Sequence, residues 1–282
     1  MTKTWLITGA SSGFGRGMAE RLLSRGDQVI ATVRRQGSLD DLAAQYHDRL
    51  RVVYLDVTDT DGVQAAVNQA FADFKRIDVI VSNAGYGILG AAEETSIDQM
   101  REIIETNLMG SMVLIKAALP HLRAQGFGRI VQVSSEGGQI AYPGFSLYHA
   151  SKWGIEGFIE SLAKEVQPFD IDFMIVEPGP SRTAFVGSIV LPDPISDYDG
   201  TPAHDLKDAA FGGGWVIKGD PDRMVDAMIT AADAPVMPFR LLLGKDAYAG
   251  VHGALSERLA VLEAGRDVTE AADFTEEELA AM

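Results

Sequence analysis

Residues 4–15 read TWLITGASSGFG, an apolar run followed by a turn rich in glycine and serine. The apolar run predicts a short buried strand, and apolar residues at helical spacing from Met18 to Leu23 predict a helix to about Arg25. A strand, a glycine-rich turn and a helix in this order form a phosphate-binding site, because glycines let the backbone approach a pyrophosphate and the helix N-terminus offers free N–H groups. The residues expected to bind the phosphates of a dinucleotide are Gly9, Ser11, Ser12, Gly13, Phe14 and Gly15.

A second group of residues has the chemistry of proton transfer. Tyr148 and Lys152 are four apart in a predicted helix that begins near Tyr148, so their side chains share one face of it. A phenol has a pKa of about 10, and a cation about 4 Å away would lower that pKa towards neutrality, which would make Tyr148 a general acid and base. Ser135 follows an apolar run, residues 129–134, that predicts a strand, and we therefore expect it at the carboxyl edge of a sheet, where α/β folds bind ligands.

The order Ser-x12-Tyr-x3-Lys, formed by Ser135, Tyr148 and Lys152, resembles the short-chain dehydrogenase/reductase family. Thr8 and the glycines after it resemble that family's Thr-Gly-x3-Gly-x-Gly, and the resemblance extends in motif order from residue 4 to about residue 183. It implies that Tyr148 exchanges a proton with the substrate oxygen and that Ser135 hydrogen-bonds this oxygen. It also implies that Lys152 lowers the Tyr148 pKa and holds the nicotinamide ribose.

Asn107 lies in a long helix predicted from about Asp98 to Arg123. By motif position it resembles the family's fourth catalytic residue, which would position a water in the proton relay. The alternative is a structural hydrogen-bonding role, which is the commoner role of a single asparagine inside a helix.

Three further motifs resemble cofactor-binding motifs of the family. Asn83-Ala84-Gly85 follows the strand predicted over residues 79–82 and resembles Asn-Asn-Ala-Gly, with Ser82 as a departure at the first position. Pro178, Gly179 and Thr183 follow the strand predicted over residues 171–176 and resemble Pro-Gly-x3-Thr, which holds the nicotinamide carboxamide. Asp56 and Val57 follow the strand predicted over residues 51–55 and stand where the family contacts the adenine; Asp56 has the alternative or additional role of capping the helix that begins near Asp59.

The end of the second predicted strand, residues 28–32, concerns the choice of dinucleotide. Val33 stands where an acidic residue would bind the adenosine ribose, and Arg34 and Arg35 follow it. The missing carboxylate and the two guanidinium groups predict binding of a 2′-phosphate and hence of NADP(H). The alternative is that both arginines are solvated loop residues; Arg16 is a further candidate for reading the phosphate.

Strands alternate with helices along the chain, and this alternation predicts an α/β fold with a Rossmann-type, doubly wound parallel sheet. We expect about seven strands in the order 3-2-1-4-5-6-7, with residues 240–243 as the last strand. We expect one dinucleotide-binding oxidoreductase domain over residues 1–265. In residues 266–282 the acidic residues outnumber the single basic residue, Arg266, and this stretch is predicted to be a solvated tail or a frayed helix.

Residues 184–217 lose the regular pattern and contain prolines, glycines and aromatic residues. An irregular stretch of this length is usually functional and often a lid, although an oligomer contact or plain hydrophobic cover is the alternative. Phe185 of this stretch, with Tyr142 and Phe145 from the loop before the catalytic helix, predicts an apolar, aromatic-lined pocket. The expected substrate is apolar and medium to large, for example a steroid-like, retinoid-like or aryl ketone.

Composition excludes several other classes of protein. The chain has 282 residues and no cysteine, and its five histidines lack ligand spacing, so we expect neither disulfides nor a metal site. Its 24 basic and 40 acidic residues give a net charge of −16, which disfavours nucleic acid and membrane partners. No apolar run approaches the about 18 residues of a membrane span, and no signal-peptide core is seen, so a cytoplasmic location is predicted.

The sequence thus predicts an NADP(H)-dependent oxidoreductase that interconverts a ketone or aldehyde and an alcohol by hydride transfer. The resemblance further implies a homodimer or homotetramer. One alternative is a non-catalytic NADP-binding sensor or interaction protein on the same fold. Another is an epimerase or dehydratase of the family's extended branch, which typically has a different glycine spacing and a longer C-terminal domain.

Overall fold

The computed structural model describes residues 2–212 and 216–282. Met1 and residues 213–215, which belong to the predicted lid, lie outside the described residues. The strands are β1 (Thr4–Ile7), β2 (Gln28–Val33), β3 (Leu50–Tyr54), β4 (Val79–Ser82), β5 (Gly128–Val133), β6 (Ile171–Pro178) and β7 (Arg240–Leu243). Over the described ranges, these seven strands form one parallel sheet in the order β3-β2-β1-β4-β5-β6-β7, which confirms the predicted fold class and strand order.

Helices cover both faces of this sheet. They are α1 (Gly13–Ser24), α2 (Asp40–Tyr46), α3 (Thr60–Phe74), α4 (Ile97–Ile104), α5 (Gly110–Gln125), α6 (Ser146–Val166), α7 (Pro202–Phe211), α8 (Pro221–Asp233), α9 (Lys245–Ala264), α10 (Arg266–Glu270) and α11 (Glu276–Ala281). Trp5 and Ile7 of β1 lie in the core formed with α1 and α8, whereas Leu6 between them lies in the core formed with α3, α5 and α6. Since neighbours in a strand point to opposite faces, a strand covered on both faces is a continuous apolar run, as TWLI is.

The sheet reverses its winding between β1 and β4. The chain first builds outward from β1 to β3 and then returns to the other side of β1 with β4. In open α/β sheets, ligands bind in the crevice at the carboxyl ends of the strands at such a switch point. The glycine-rich turn after β1, Asn83 after β4 and Ser135 after β5 all lie at this edge.

The long predicted helix is α4 and α5 joined by a π turn, Glu105–Met109, which contains Asn107. Among the described residues, Ile97–Gln125 is the stretch that is long and apolar enough, by length and composition, to cross a membrane. In its most apolar window 44% of the residues are buried inside the protein, with α5 packed against α3. Core helices of globular domains meet the same criteria, so this helix is weak evidence for a membrane span.

The helices α7, α8 and α9 were not predicted. Residues 184–217 were expected to be irregular, but α7 lies within them, and its start signal is Pro202 at the first helical position after Thr201. In α8 the same signal is clearer, since Pro221 follows Asp220, whose carboxylate caps the helix by accepting from the backbone N–H groups of residues 222 and 223. The acidic residues after α9 form two short exposed helices, α10 and α11, which corresponds to the helical alternative for that segment.

Candidate active site

A cavity of about 670 Å³ follows the carboxyl ends of the central strands. Most of the residues predicted from the sequence line it: Gly9, Ser11, Ser12, Gly13, Phe14, Arg34, Arg35, Asp56, Val57, Asn83, Ala84, Gly85, Ser135, Tyr142, Phe145, Tyr148, Lys152, Pro178, Gly179, Thr183 and Phe185. Gly15 and Asn107 are absent from its wall. The structure therefore brings the predicted cofactor, catalytic and substrate residues to one continuous space.

The glycine-rich turn is held by close backbone packing. Gly9 and Gly13 have φ values of +66° and +55°, in the left-handed region that favours glycine. A β-carbon at Gly15 would stand 2.5 Å from the Gly9 carbonyl oxygen, so this glycine allows α1 to approach the turn instead of lining the cavity. The Asn83 side chain donates to the Thr8 and Gly9 carbonyls at 3.0 and 3.1 Å, which ties the end of β4 to the turn.

The arginines after β2 differ from Arg16. Val33 is buried at the end of the strand, whereas Arg34 and Arg35 are exposed and, within the described residues, form no salt bridge. Arg16 pairs with Glu20 and Asp41, so its guanidinium is already engaged. Arg34 and Arg35 are thus the guanidinium groups in the cavity wall that are free to meet a phosphate.

Asp56 does not cap α3. Its carboxylate accepts hydrogen bonds from the backbone N–H and hydroxyl of Thr58, at 3.0 and 2.8 Å, and these bonds hold the pKa of Asp56 below its ordinary value. The cap of α3 is Asp59, which accepts from the Gly62 N–H at 3.0 Å. The capping alternative for Asp56 is therefore wrong, and its carboxylate lies in the cavity wall.

Tyr148 and Lys152 lie close together in the cavity wall, but not as the helical spacing suggested. The Lys152 ammonium is 5.6 Å from the centroid of the Tyr148 ring and donates to the Val133 carbonyl at 3.1 Å. Burial raises the pKa of Tyr148 to about 12; the Ser135 hydroxyl acts to lower this pKa and the charge of Glu136 acts to raise it. The predicted lowering of the Tyr148 pKa towards neutrality is therefore wrong here, because burial raises this pKa by more than the Ser135 hydroxyl lowers it. Lys152 is itself buried, which lowers its own pKa to about 8.

Asn107 has the contacts of a structural residue. Its side chain accepts from the Tyr86 N–H at 3.0 Å and donates to the Tyr86 carbonyl at 2.8 Å and to the Ser151 hydroxyl at 3.2 Å. These bonds join the loop after β4 to α6. The catalytic assignment of Asn107 stays a prediction, and the π turn around it is a feature that is frequent at functional sites.

Aromatic rings form part of the cavity wall around Tyr148. Tyr148 contacts Phe145 and Phe185, with ring centroids 5.8 and 5.7 Å apart. His149, which the sequence analysis did not assign, accepts from the Tyr142 N–H at 2.8 Å, so its other ring nitrogen, 2.8 Å from the Gly137 carbonyl, is the donor. Burial lowers the pKa of His149, and the neutral ring fastens the loop before α6 to the turn after β5.

Buried carboxylates were also missed. Glu136 lines the cavity directly after Ser135 and is only 5% exposed. Glu156, one turn after Lys152 on α6, lies behind the cavity and accepts from Arg240 at 2.7 Å and from Ser134. Arg240 also binds Glu177 of β6. In the sequence, Glu136 could have been found only from its position next to Ser135, whereas the partners of Glu156 come from distant strands.

The segment after β6 is tied to the loop after β4. Val190 exchanges backbone hydrogen bonds with Leu89 and Gly87, at 3.0 and 2.9 Å. The buried Glu94 carboxylate accepts from the Ile195 N–H at 2.8 Å and lies 2.6 Å from a ring nitrogen of His204 in α7. The predicted lid is therefore fastened at several points in this structure.

Comparison with known proteins gives a consistent result. The family model described as short chain dehydrogenase matches residues 3–192. "Oxidoreductase BOA17" of Botryotinia fuckeliana is 40% identical over 254 residues, 89% of this chain and 92% of the fungal protein. Human "17-beta-hydroxysteroid dehydrogenase type 1" is 38% identical over 208 residues, 71% of this chain and 62% of the human protein.

The fold comparison agrees with the sequence comparison. The crystal structure of a short-chain dehydrogenase from Streptomyces avermitilis superposes with a TM-score of 0.89 at 39% identity, covering 96% of this chain and 98% of that one. Other solved structures similar to this chain were determined in complex with NADP or with NAD.

Proposed function

The chain belongs to the short chain dehydrogenase family of oxidoreductases acting on CH–OH groups, and on this premise we propose that it interconverts an apolar ketone or aldehyde and its alcohol with NADP(H). The observation that carries the proposal is the position of the Tyr148 phenol. It lies with Ser135 and Lys152 in the wall of the same cavity that reaches the glycine-rich turn. A proton donor and a phosphate-binding turn in one cavity are what carbonyl reduction by a dinucleotide requires.

The protonation states support the reductive direction. With a pKa of about 12, Tyr148 carries its proton at neutral pH and can donate it to a carbonyl oxygen that becomes negatively charged. The Ser135 hydroxyl is placed to hydrogen-bond the same oxygen, which stabilises the developing charge. Lys152, with a pKa of about 8, is mostly protonated at neutral pH and favours the phenolate that Tyr148 leaves behind.

The residues of the glycine-rich turn fit a nicotinamide dinucleotide. The left-handed glycines hold the backbone open at the N-terminus of α1, and Ser12 at the helix cap makes no side-chain capping bond of its own. Bound here, a nicotinamide dinucleotide supplies or accepts the hydride. The buried Val33 and the exposed Arg34 and Arg35 favour a 2′-phosphate, and hence NADP(H), at the adenosine end.

The walls near Tyr148 support an apolar substrate of medium to large size. Phe145 and Phe185 both contact the Tyr148 ring, and apolar residues 186 and 189 continue the wall. The likeness to a human hydroxysteroid dehydrogenase supports a substrate of similar bulk. A steroid-like, retinoid-like or aryl ketone fits these features.

The test is NADPH absorbance in the presence of a panel of ketones and aldehydes of increasing size, with the corresponding alcohols and NADP⁺ for the reverse reaction. We expect oxidation of NADPH with at least one bulky apolar carbonyl compound. Binding of NADPH without oxidation by any compound would instead favour the non-catalytic sensor.

A further inference from the structure

Two buried side chains of α6 hold the turn after β5, residues 134–139, which contains Ser135 and which we call the serine turn. His149 donates to a backbone carbonyl of this turn at 2.8 Å. Glu156 lies two helical turns farther along the same face of α6 and accepts hydrogen bonds from the serine turn. Since α6 also carries Tyr148, these contacts fix the position of the serine relative to the phenol.

The Glu156 carboxylate contacts the serine turn at its start and at its end. Its Oε1 atom accepts from the Ser134 hydroxyl. Its Oε2 atom accepts from the Gln139 side-chain amide at 3.3 Å and from Arg240 of β7 at 2.7 Å. The backbone of the turn also packs directly on this carboxylate, because a β-carbon at Gly138 would overlap the Oε1 atom. A change of the side chain at position 156 therefore acts directly on the turn.

Most partners of Glu156 have a second acceptor. Arg240 also pairs with Glu177 of β6 and with Glu160 of α6. The Gln139 amide also donates to Glu177, at 3.1 Å. Burial of the Glu156 carboxylate costs free energy and raises its pKa. What the other two carboxylates do not supply is the contact with the hydroxyl at the start of the serine turn, and this contact accounts for a glutamate at so buried a position.

We propose that Glu156 is a positioning residue, which acts through the serine turn to hold the Ser135 hydroxyl where it hydrogen-bonds the substrate oxygen beside Tyr148. This inference rests on the proposed oxidoreductase function and adds to it a residue that lies outside the cavity wall. The Ser135 hydroxyl accepts from the Gly137 N–H at 3.0 Å, so a shift of the turn moves this hydroxyl as well. A displacement of about 1 Å can lower a rate by about 100-fold.

The experiment compares Glu156→Leu with the control Glu160→Leu. The control makes the same change one turn farther along α6, at a carboxylate that binds Arg240 and makes no hydrogen bond to the serine turn. Single-turnover oxidation of NADPH is followed with enzyme in excess, using a ketone that the wild type reduces. Glu156→Leu should lower the rate by about 10- to 100-fold, with the Kd of NADPH within a few-fold, and Glu160→Leu should stay near the wild-type rate. Glu156→Gln keeps a hydrogen-bonding side chain and should recover most of the rate.

A double-mutant cycle with Ser135→Ala separates positioning of the serine from a general effect on the fold. Loss of one such donor costs about 100- to 1,000-fold, a rate that excess enzyme still allows to be followed. Once the hydroxyl is absent, adding Glu156→Leu should cost less than about 2-fold. Burial lowers the pKa of Lys152 and the charge of Glu156 acts to raise it, so an effect exerted through Lys152 would instead persist without the serine.

Hydrogen exchange tests the hold on the turn without an assay of turnover. The N–H groups of residues 138 and 139 donate to carbonyls within the turn at 2.9 and 2.8 Å. Their exchange should rise several-fold in Glu156→Leu and stay at the wild-type rate in Glu160→Leu.

Four results would each overturn the inference. They are a Glu156→Leu variant that keeps more than about half of the wild-type rate, an equal loss with and without the Ser135 hydroxyl, a rise in the Kd of NADPH that matches the loss of rate, and unchanged exchange in the serine turn. Failure of the proposed function is a different result, a wild type that reduces no ketone or aldehyde. The inference then falls with it, even if exchange in the turn rises.

Discussion

The cavity has two halves that are built in different ways. The cofactor half, formed by the ends of β1, β2 and β3 with the glycine-rich turn, is shaped mainly by backbone and by glycines that permit close packing. The substrate half, formed by Glu136, Tyr142, Phe145 and Phe185, is shaped by side chains from two segments of the chain, residues 136–145 and the segment after β6. The comparison indicates that recognition of a dinucleotide is fixed by local sequence and strand order, whereas recognition of the substrate depends on tertiary packing.

The largest effect is expected where the halves meet. Tyr148→Phe keeps the ring that contacts Phe145 and Phe185 but removes the proton donor, so kcat should fall by about 100-fold or more while the Kd of NADPH stays within a few-fold. Steady-state kinetics and fluorescence titration with NADPH measure the two quantities. Tyr198→Phe, which removes a hydroxyl bound to Glu93 outside the cavity, is the matched control. If Tyr148→Phe keeps more than about a tenth of the wild-type kcat, Tyr148 is not the general acid.

Changes at the arginines of the cofactor half should alter the cofactor preference without altering the substrate preference. We expect NADPH to be preferred over NADH by about 10- to 150-fold in kcat/KM, because Arg34 can form charge-assisted hydrogen bonds with a 2′-phosphate. The double change Val33→Asp with Arg34→Ala should reverse the preference without changing the order of ketones used. Arg16→Ala is the control, since Arg16 is already paired. A double variant that still prefers NADPH would place phosphate recognition elsewhere, with Arg35 the next candidate.

The buried Glu136 in the substrate half should lower the free energy of unfolding near neutral pH. The pKa of Glu136 is raised to about 6, so the folded state favours the protonated carboxyl, and the stabilisation present below the unfolded-state pKa is lost as pH rises through about 6. The free energy of unfolding at pH 7, relative to pH 4.5, should therefore improve by up to about 2 kcal/mol in Glu136→Gln compared with the wild type. Urea unfolding at both pH values measures this. Equal pH dependence in the two proteins would mean that Glu136 is well solvated.

The smallest effect is expected at the fastening of the segment after β6. Glu94→Gln weakens the bonds to Ile195 and His204, which should cost about 1 kcal/mol of local stability. Hydrogen exchange over residues 184–204 should then rise several-fold, and the KM for the carbonyl substrate should rise while the Kd of NADPH stays constant. Asp98→Asn is the control, because this exposed carboxylate pairs with Arg101 and not with residues 184–204. If exchange is unchanged, Glu94 does not hold this segment.

Most of the fold could be predicted from the sequence, because buried parallel strands are short continuous apolar runs. β4 and β7 have the predicted bounds, and the first turn follows from its glycines. The helix α7 was missed because the prolines and glycines around it dominate the local pattern, although Pro202 is itself a start signal.

The site was less predictable where burial and tertiary contacts set the pKa or the hydrogen-bond partners of a side chain. Helical spacing places Lys152 near Tyr148, but it cannot reveal that burial would raise the Tyr148 pKa. Glu136 and Glu156 are both glutamates, yet only the folded chain shows that Glu156 is paired with Arg240, whereas one oxygen of Glu136 has no partner among the described residues. The oligomeric state, the cytoplasmic location and the extent of the domain stay predictions from the sequence.

Arg240 has a consequence for the order in which the protein matures during translation. It lies on β7, the last strand to leave the ribosome, yet it pairs with Glu156 on the helix that carries Tyr148 and with Glu177 on β6. Before Arg240 is synthesised, the nascent chain would have to bring two carboxylates together without their cation, which opposes docking of that helix. We therefore expect ribosome-bound chains that stop before β7 to bind dinucleotide poorly and to lack turnover, so that catalytic competence arises only once β7 has been synthesised.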